Sequence, residues 1–264
     1  MRWLIYGLSC VLIVGSAIIV GSVFFLFKYG KGLPEYGQLA DYRPSVVTRV
    51  HGGDGRLLAE YAKERRVFVP VEVMPKLLIK AFLSSEDKNF YRHEGVDVKS
   101  LLSAAFDNLI NLTSDRRPRG ASTITQQVAK NFLLTNEVSI ERKIKEAILA
   151  FRIEKALSKN RILELYLNEI YLGFGSYGVA AAALNYFDKS LDELSVAEVA
   201  YLAALPKAPN NYHPVRKKQA ALARRNWVIQ QMYKNGFISN NAMTKEQLTP
   251  LEIKPASKTE FVDA

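Results

Sequence analysis

A mainly α-helical fold, with a small β element and one membrane-crossing helix ahead of it, is what the sequence predicts, and three observations carry that expectation. The run Trp3–Phe27 contains no charged residue, and it exceeds the ~20 apolar positions that cross a bilayer. From Pro75 to Lys234 apolar residues recur at helical spacing behind Ser, Thr and Asp caps. Only Val46–Val50 and Val67–Val69 read as strands, with Gly52-Gly53-Asp54-Gly55 as the turn between them.

The first segment is expected to be an uncleaved anchor, because the apolar core of a cleaved signal peptide is only roughly 7–15 residues long. Arg2 lies on one side of the span and Lys28 and Lys31 on the other, so the positive-inside rule has little to act on. Cys10 is the sole cysteine of the 264 residues, which excludes an intrachain disulfide. The chain carries a formal +10, and removing Arg2 and Lys28 leaves +8 for the remainder. That excess suits an anionic partner such as nucleic acid, phospholipid head groups or a pyrophosphate, and charge does not choose among them.

Beyond the anchor, Gly30-Lys31-Gly32-Leu33-Pro34 and the polar run to Pro44 read as a juxtamembrane linker. Pro75 suits the first turn of a helix in which Leu78, Ile79, Phe82, Leu83 and Glu86 share one side. Asp97 caps a helix through Leu101, Leu102, Ala105, Phe106 and Leu109, which the basic loop Thr113–Gly120 ends. Thr123 and Gln126 form a capping box for the next helix. Ser139 begins another, with Ile140, Ile144, Ala147, Ile148 and Phe151 expected inward and Arg142, Lys143, Lys145 and Glu146 outward or sideways. Ser158 starts a helix through Ile170, Ser195 one that stops before Pro206, and a last long helix runs from about Val215 to Lys234.

Within this frame Glu86 continues an apolar stripe, where desolvation and the negative end of the helix would raise its pKa and poise it to take a proton. The bland alternative is a carboxylate turned to solvent and paired with Lys88 or Arg92. Thr123, Gln127 and Lys130 fall on one helix face at i, i+4 and i+7. A hydroxyl, an amide and an ammonium thus converge near a helix start that already favours anions; an ordinary polar face is the alternative. Arg142 and Glu146, four apart, can pair. His93-Glu94 does not complete a zinc signature, since the fourth residue after His93 is Asp97.

Four blocks in order resemble the peptidoglycan glycosyltransferases, the membrane-anchored polymerase modules of class A penicillin-binding proteins and their monofunctional relatives. They are Glu86 to Gly95, Gly120 to Asn131 with its Gly-Ala-Ser-Thr-Ile-Thr-Gln-Gln start, Arg142-Lys143-Ile144-Lys145-Glu146, and Arg161 to Gly173; a weaker fifth is Arg224-Arg225-Asn226-Trp227-Val228-Ile229. The resemblance implies a lysozyme-like, mainly helical domain with a small hydrophobic subdomain against the bilayer. It implies Glu86 as the base that deprotonates the 4-hydroxyl of an incoming lipid II, with the growing undecaprenyl-pyrophosphate-linked glycan as donor. Lys130 and Arg142 would hold the pyrophosphate, with Ser122, Thr123, Gln127 and Lys143 beside them, and Glu146 would orient these cations or steady the sugar cation. Asp87, Phe90 and His93 match the remaining positions of the first block and would bind substrate or fix the loop that presents Glu86.

The expected organisation is an anchor at 1–28, a linker at 29–45, a glycosyltransferase domain at 46–245 and, at 246–264, the start of a linker to a transpeptidase module that these residues do not contain. No cofactor is required by this reading, no dedicated metal cage is visible, and a divalent cation, magnesium or manganese, would assist the pyrophosphate. The implied partners are lipid II, the growing glycan chain, the bacterial membrane and other cell-wall synthesis proteins, and not nucleic acid. The implied location is the bacterial cytoplasmic membrane, crossed once, with the catalytic part outside the cytoplasm. Two rivals are a lytic muramidase using Glu86 as general acid and a non-catalytic cell-wall scaffold. The expectation common to every residue assignment is that Glu86 shares a cleft with Lys130 and Arg142.

Overall fold

The structure is a computed structural model and describes residues 6, 15–16, 21, 27–40, 42, 48–51, 53, 57–61, 67–111, 120–135, 137 and 139–254. Among them no helix is long and apolar enough to cross a membrane; most of the expected span Trp3–Phe27 lies outside the described residues, as does the loop 112–119. Strands β1 (Thr48–His51) and β2 (Leu57–Tyr61) pair antiparallel, with an irregularity between Val50 and His51. Val67–Val69, expected to be a strand, is not one. Its backbone pairs with a side chain instead: the Val69 N–H donates to Asn168 Oδ1 and the Val69 carbonyl accepts from Asn168 Nδ2, at 2.8 and 2.9 Å.

The rest is helical: α1 (Lys76–Glu86), α2 (Val98–Ile110), α3 (Ile124–Leu133), α4 (Ile140–Ala156), α5 (Lys159–Glu169), α6 (Val179–Phe187), α7 (Val196–Leu202), α8 (Lys218–Lys234) and α9 (Asn240–Leu248). The Ser, Thr and Asp caps act as expected, because each offers an oxygen to an N–H that the first helical turn leaves unpaired. Asp97 accepts from Ser100, Thr123 from Gln126, Ser139 from Arg142, Ser158 from Arg161 and Ser195 from Glu198. The last long helix begins at Lys218 rather than near Val215.

Leu78 and Phe82 of α1, Ile124 and Val128 of α3, Ile162, Leu163, Tyr166 and Leu167 of α5, and Val228 and Ile229 of α8 are buried in one core. Helix α1 packs on α7 and α8, while α3 packs on α4 and α5. The C-terminal end of α1 is therefore set between α3 on one side and α8 on the other.

The burial of α4 departs from expectation. Its buried residues are Glu146, Leu149, Ala150 and Ile153, whereas Ile140 is 83% and Phe151 44% exposed. The helix is rotated so that a charged residue, expected outward or sideways, is interior, while Ile140 and Phe151 look out and Ile144 and Ile148 are half-buried. Helix α2 does the same: only Ala104 is buried, while Leu101, Leu102, Phe106, Leu109 and Ile110 are each at least half exposed. Helix α9, absent from the sequence expectation, is fastened through Arg225, whose guanidinium is 1% exposed and donates to the carbonyls of Thr249 and Gln247.

Candidate active site

Glu86 ends α1, and the next residue makes the joint on which its position depends. The Asp87 carboxylate accepts from the Ile124 N–H at 3.0 Å and from His93 Nε2 at 3.0 Å, tying the end of α1 to the start of α3. Phe90, 1% exposed, lies beneath the Lys159 ammonium at 4.4 Å. The same ammonium donates to the His93 carbonyl at 2.7 Å and to Glu154 at 2.6 Å. Gly95 closes the loop at φ +93°, and a Cβ there would stand 2.7 Å from the Ala150 carbonyl carbon; only glycine lets the loop lie on α4. Asp87, Phe90 and His93 are thus placed as supports of Glu86.

Glu86 opens into a cleft of about 610 Å³ shared by Ser122, Thr123, Gln127, Lys130, Arg142, Lys143 and Glu146. Glu86 is half-buried, and its Oε2 accepts from Gln127 Nε2 at 2.9 Å. Burial raises its pKa above the ordinary 4.5; the Gln127 hydrogen bond and the charges of Arg224 and Lys207 oppose the rise, and Asp87 adds to it. The Tyr166 phenol, buried and without a hydrogen-bond partner among the described residues, is pushed well above its usual range by burial and by the charges of Glu86 and Asp87. An acid in this setting holds its proton more tightly than a solvated one and is correspondingly the stronger base once ionised.

Across the cleft stands a cationic group. Arg142 and Lys143 both hold the Glu146 carboxylate, Lys143 at 2.6 Å, and Lys143 also donates to Ser122 Oγ at 2.6 Å. Glu146 is 1% exposed, and a buried carboxylate is tolerable only when paired in this way. Burial lowers the Lys143 pKa, and the positive charges of Arg142 and Lys130 lower it further, so three cations crowd one wall. Thr123 lines the same cleft while being 2% exposed, and its hydroxyl caps α3 and donates to the Gly95 carbonyl.

Among the residues outside the sequence-derived set that also line the cleft are Lys207, Arg224, Trp227 and Gln231. The fifth block contained the signal for two of them, but two adjacent arginines look alike in sequence. On the helix they diverge by about 100°, so Arg225 fastens α9 while Arg224 faces Glu86.

The family model described as transglycosylase matches residues 54–233. The chain is 50% identical over 258 residues to penicillin-binding protein 1A of Rickettsia felis, covering 97% of this chain and 33% of that protein. It is 42% identical over 263 residues to the Aquifex aeolicus protein of the same name, covering 100% and 35%, and 43% identical over 238 residues to the Escherichia coli one, covering 90% and 27%. A crystal structure of penicillin-binding protein 1A from Haemophilus influenzae matches with a TM-score of 0.47 and 26% identity, over 84% of this chain and 23% of that one. The chain spans about a third of the length of the curated relatives it matches.

Proposed function

On the premise that the chain belongs to the transglycosylase family, we propose that it is a peptidoglycan glycosyltransferase that polymerises lipid II into glycan strands. The observation that carries this reading is the placement of Glu86 in one cleft with Lys130, Arg142 and Lys143. Ionised Glu86 takes the proton from the 4-hydroxyl of the incoming lipid II as that oxygen attacks C1 of the growing chain. The C1–oxygen bond to the undecaprenyl pyrophosphate breaks, and the bond pair leaves with the diphosphate. Lys130, Arg142 and Lys143 stabilise the charge that develops there. Attack on the face opposite the leaving group inverts the anomeric centre, and no covalent glycosyl-enzyme is formed. Glu146 holds Arg142 and Lys143 in place, so the cationic wall is set before substrate arrives. A hydrolase acting on finished polymer would have no diphosphate to meet on that wall.

Membrane attachment belongs to the same proposal. The outward stripes Leu101, Leu102, Phe106 and Leu109 of α2 and Ile140 and Phe151 of α4 support a seat in the lipid surface where the substrate's polyprenyl chain lies, with the uncharged segment Trp3–Phe27 as anchor. The catalytic part then faces outward from the bacterial cytoplasmic membrane. Glu146 is already committed to Arg142 and Lys143, and among the described residues no group of three or more His, Cys, Asp or Glu stands together. On this reading a magnesium or manganese ion assisting the reaction would travel on the diphosphate.

The test is polymerisation of purified lipid II by the chain in detergent. Glu86→Gln should lower kcat by about 10²–10⁴, the range for losing a general base, while its circular dichroism stays that of the parent. Polymer made at the parent rate by Glu86→Gln would overturn the reading.

A further inference from the structure

We infer that Lys159 and Glu154, an ion pair outside the cleft, are positioning residues that set how Glu86 stands relative to α3. This rests on the transfer reading above and names what keeps its base in register with the anion seat.

Neither residue helps the helix it belongs to. Lys159 is the first residue of α5, and Glu154 lies in the last turn of α4. A cation at a helix start and a carboxylate at a helix end both work against the helix dipole. Nor are they placed for solvation, since the two side chains are only 22% and 6% exposed. Residues that break a local rule without a local gain mark a task set by the tertiary structure.

The contacts supply that task. The Lys159 ammonium meets Glu154 Oε1 at 2.6 Å, the His93 carbonyl at 2.7 Å and the Phe90 ring at 4.4 Å from its centroid, one electron-rich partner for each of its three N–H groups. No neutral side chain serves a carboxylate, a carbonyl and an aromatic face at once. Glu154 Oε1 also accepts from the hydroxyl of Thr125 at 2.6 Å, and Thr125 is buried in the first turn of α3. The pair therefore grips two parts of the site together. Through Phe90 and His93 it holds the loop that follows Glu86; through Thr125 it holds the start of the helix that carries Gln127 and Lys130.

Asp87 already joins this loop to α3 through the Ile124 N–H, but one joint leaves the loop free to pivot. The ion pair is a second joint, and two fix orientation as well as distance. The consequence falls on the base. The Gln127 amide donates to Glu86 Oε2 at 2.9 Å and lowers the Glu86 pKa, so cutting the second joint weakens that bond and lets the pKa rise. The other charged and titratable groups that act on Glu86 or feel its charge are Asp87, Lys207, Arg224 and Tyr166, and the substitutions below keep all four.

The experiment follows lipid II polymerisation by the full chain in detergent, across pH, for Lys159→Met, Lys159→Arg, Thr125→Val and the double variant Lys159→Met with Glu154→Met, and measures the unfolding midpoint of each. Lys159→Met should lower kcat by about 10²-fold, the size expected for an ångström-scale misplacement of reacting groups, with KM kept within about threefold. The acid limb of kcat/KM should move to higher pH. Lys159→Arg keeps the charge and can stack on Phe90, so kcat should return to within about tenfold of the parent. The double variant separates positioning from packing. Two apolar groups in place of the ion pair restore stability, yet kcat stays low because the ties to His93 and Thr125 are still missing. A double variant whose kcat returns with its stability overturns the inference. So does a folded Lys159→Met chain with parent kcat, with an unmoved acid limb or with a loss confined to KM. If Lys159→Met does not fold, Thr125→Val, which cuts only the tie to α3, decides by kcat and the acid limb. Polymerisation at the parent rate by Glu86→Gln in the same assay sinks the transfer reading instead, so the two failures are distinguishable.

Discussion

The two walls that flank Glu86 are both positively charged, but they hold their charge in opposite ways. On the α3 and α4 wall, Arg142 and Lys143 are pinned by the buried carboxylate of Glu146, so the geometry of the anion seat is fixed from within. On the α8 wall, Arg224 is steadied by an aromatic ring, and Glu86 is the carboxylate whose charge raises its pKa against the lowering effect of burial. The first wall is arranged to meet a charge that appears during reaction. The second acts on the base itself, partly offsetting the desolvation that raises its pKa. A count of cations would not separate the two; their counter-charges do.

The largest effect expected between the walls is that of Lys130→Ala, which should cost about 10²–10³ in kcat, the range for removing one preorganised donor at a developing charge. Steady-state polymerisation measures it, and a change confined to KM would break the contrast by making this wall a ground-state binding surface. Asp87→Ala comes next. It orphans the Ile124 N–H and His93 Nε2 at the joint between α1 and α3, and should lower stability by about 1–3 kcal/mol, the cost of leaving buried partners unsatisfied. Denaturant unfolding reads this, and an unchanged midpoint would remove Asp87 from its supporting role.

The smallest effect sharpens the contrast most. Glu86 must be ionised to accept a proton, and its pKa lies above 4.5, so the rate should fall as pH drops through that raised value rather than through the ordinary carboxylate range. The Arg224 charge pulls this pKa down; Arg224→Gln should therefore move the acid limb of kcat/KM to higher pH. A limb that stays in place, or moves lower, would show that the α8 wall does not act on the base.

Much of the candidate site was readable in the chain because it is written locally. The caps at Asp97, Thr123, Ser139, Ser158 and Ser195 report helix starts through hydrogen bonds spanning three residues, and spacing alone put Gln127 and Lys130 on one helix face. What local spacing left out was rotation. A stripe of Ile140, Ile144, Ile148 and Phe151 is the same pattern whether it meets a core or an apolar surface, so the side of α4 that turned inward, with Glu146 on it, could not be read from periodicity. The strand expected at Val67–Val69 failed for a related reason: its hydrogen bonds go to Asn168, about a hundred residues later.

By itself the sequence determined most of the helices, the starts marked by Ser, Thr and Asp caps, the charge of the chain and the pairing of an acid with a basic face, since each depends on neighbours within one or two turns. Only the tertiary structure decided that Glu86, Lys130 and Arg224 face one cavity, that the Thr123 hydroxyl also reaches the Gly95 carbonyl, and that Arg225 turns to α9. Those outcomes follow from how α1 is set between α3 and α8, and packing at that distance is governed by buried surface shared between segments, which no single stretch of chain contains.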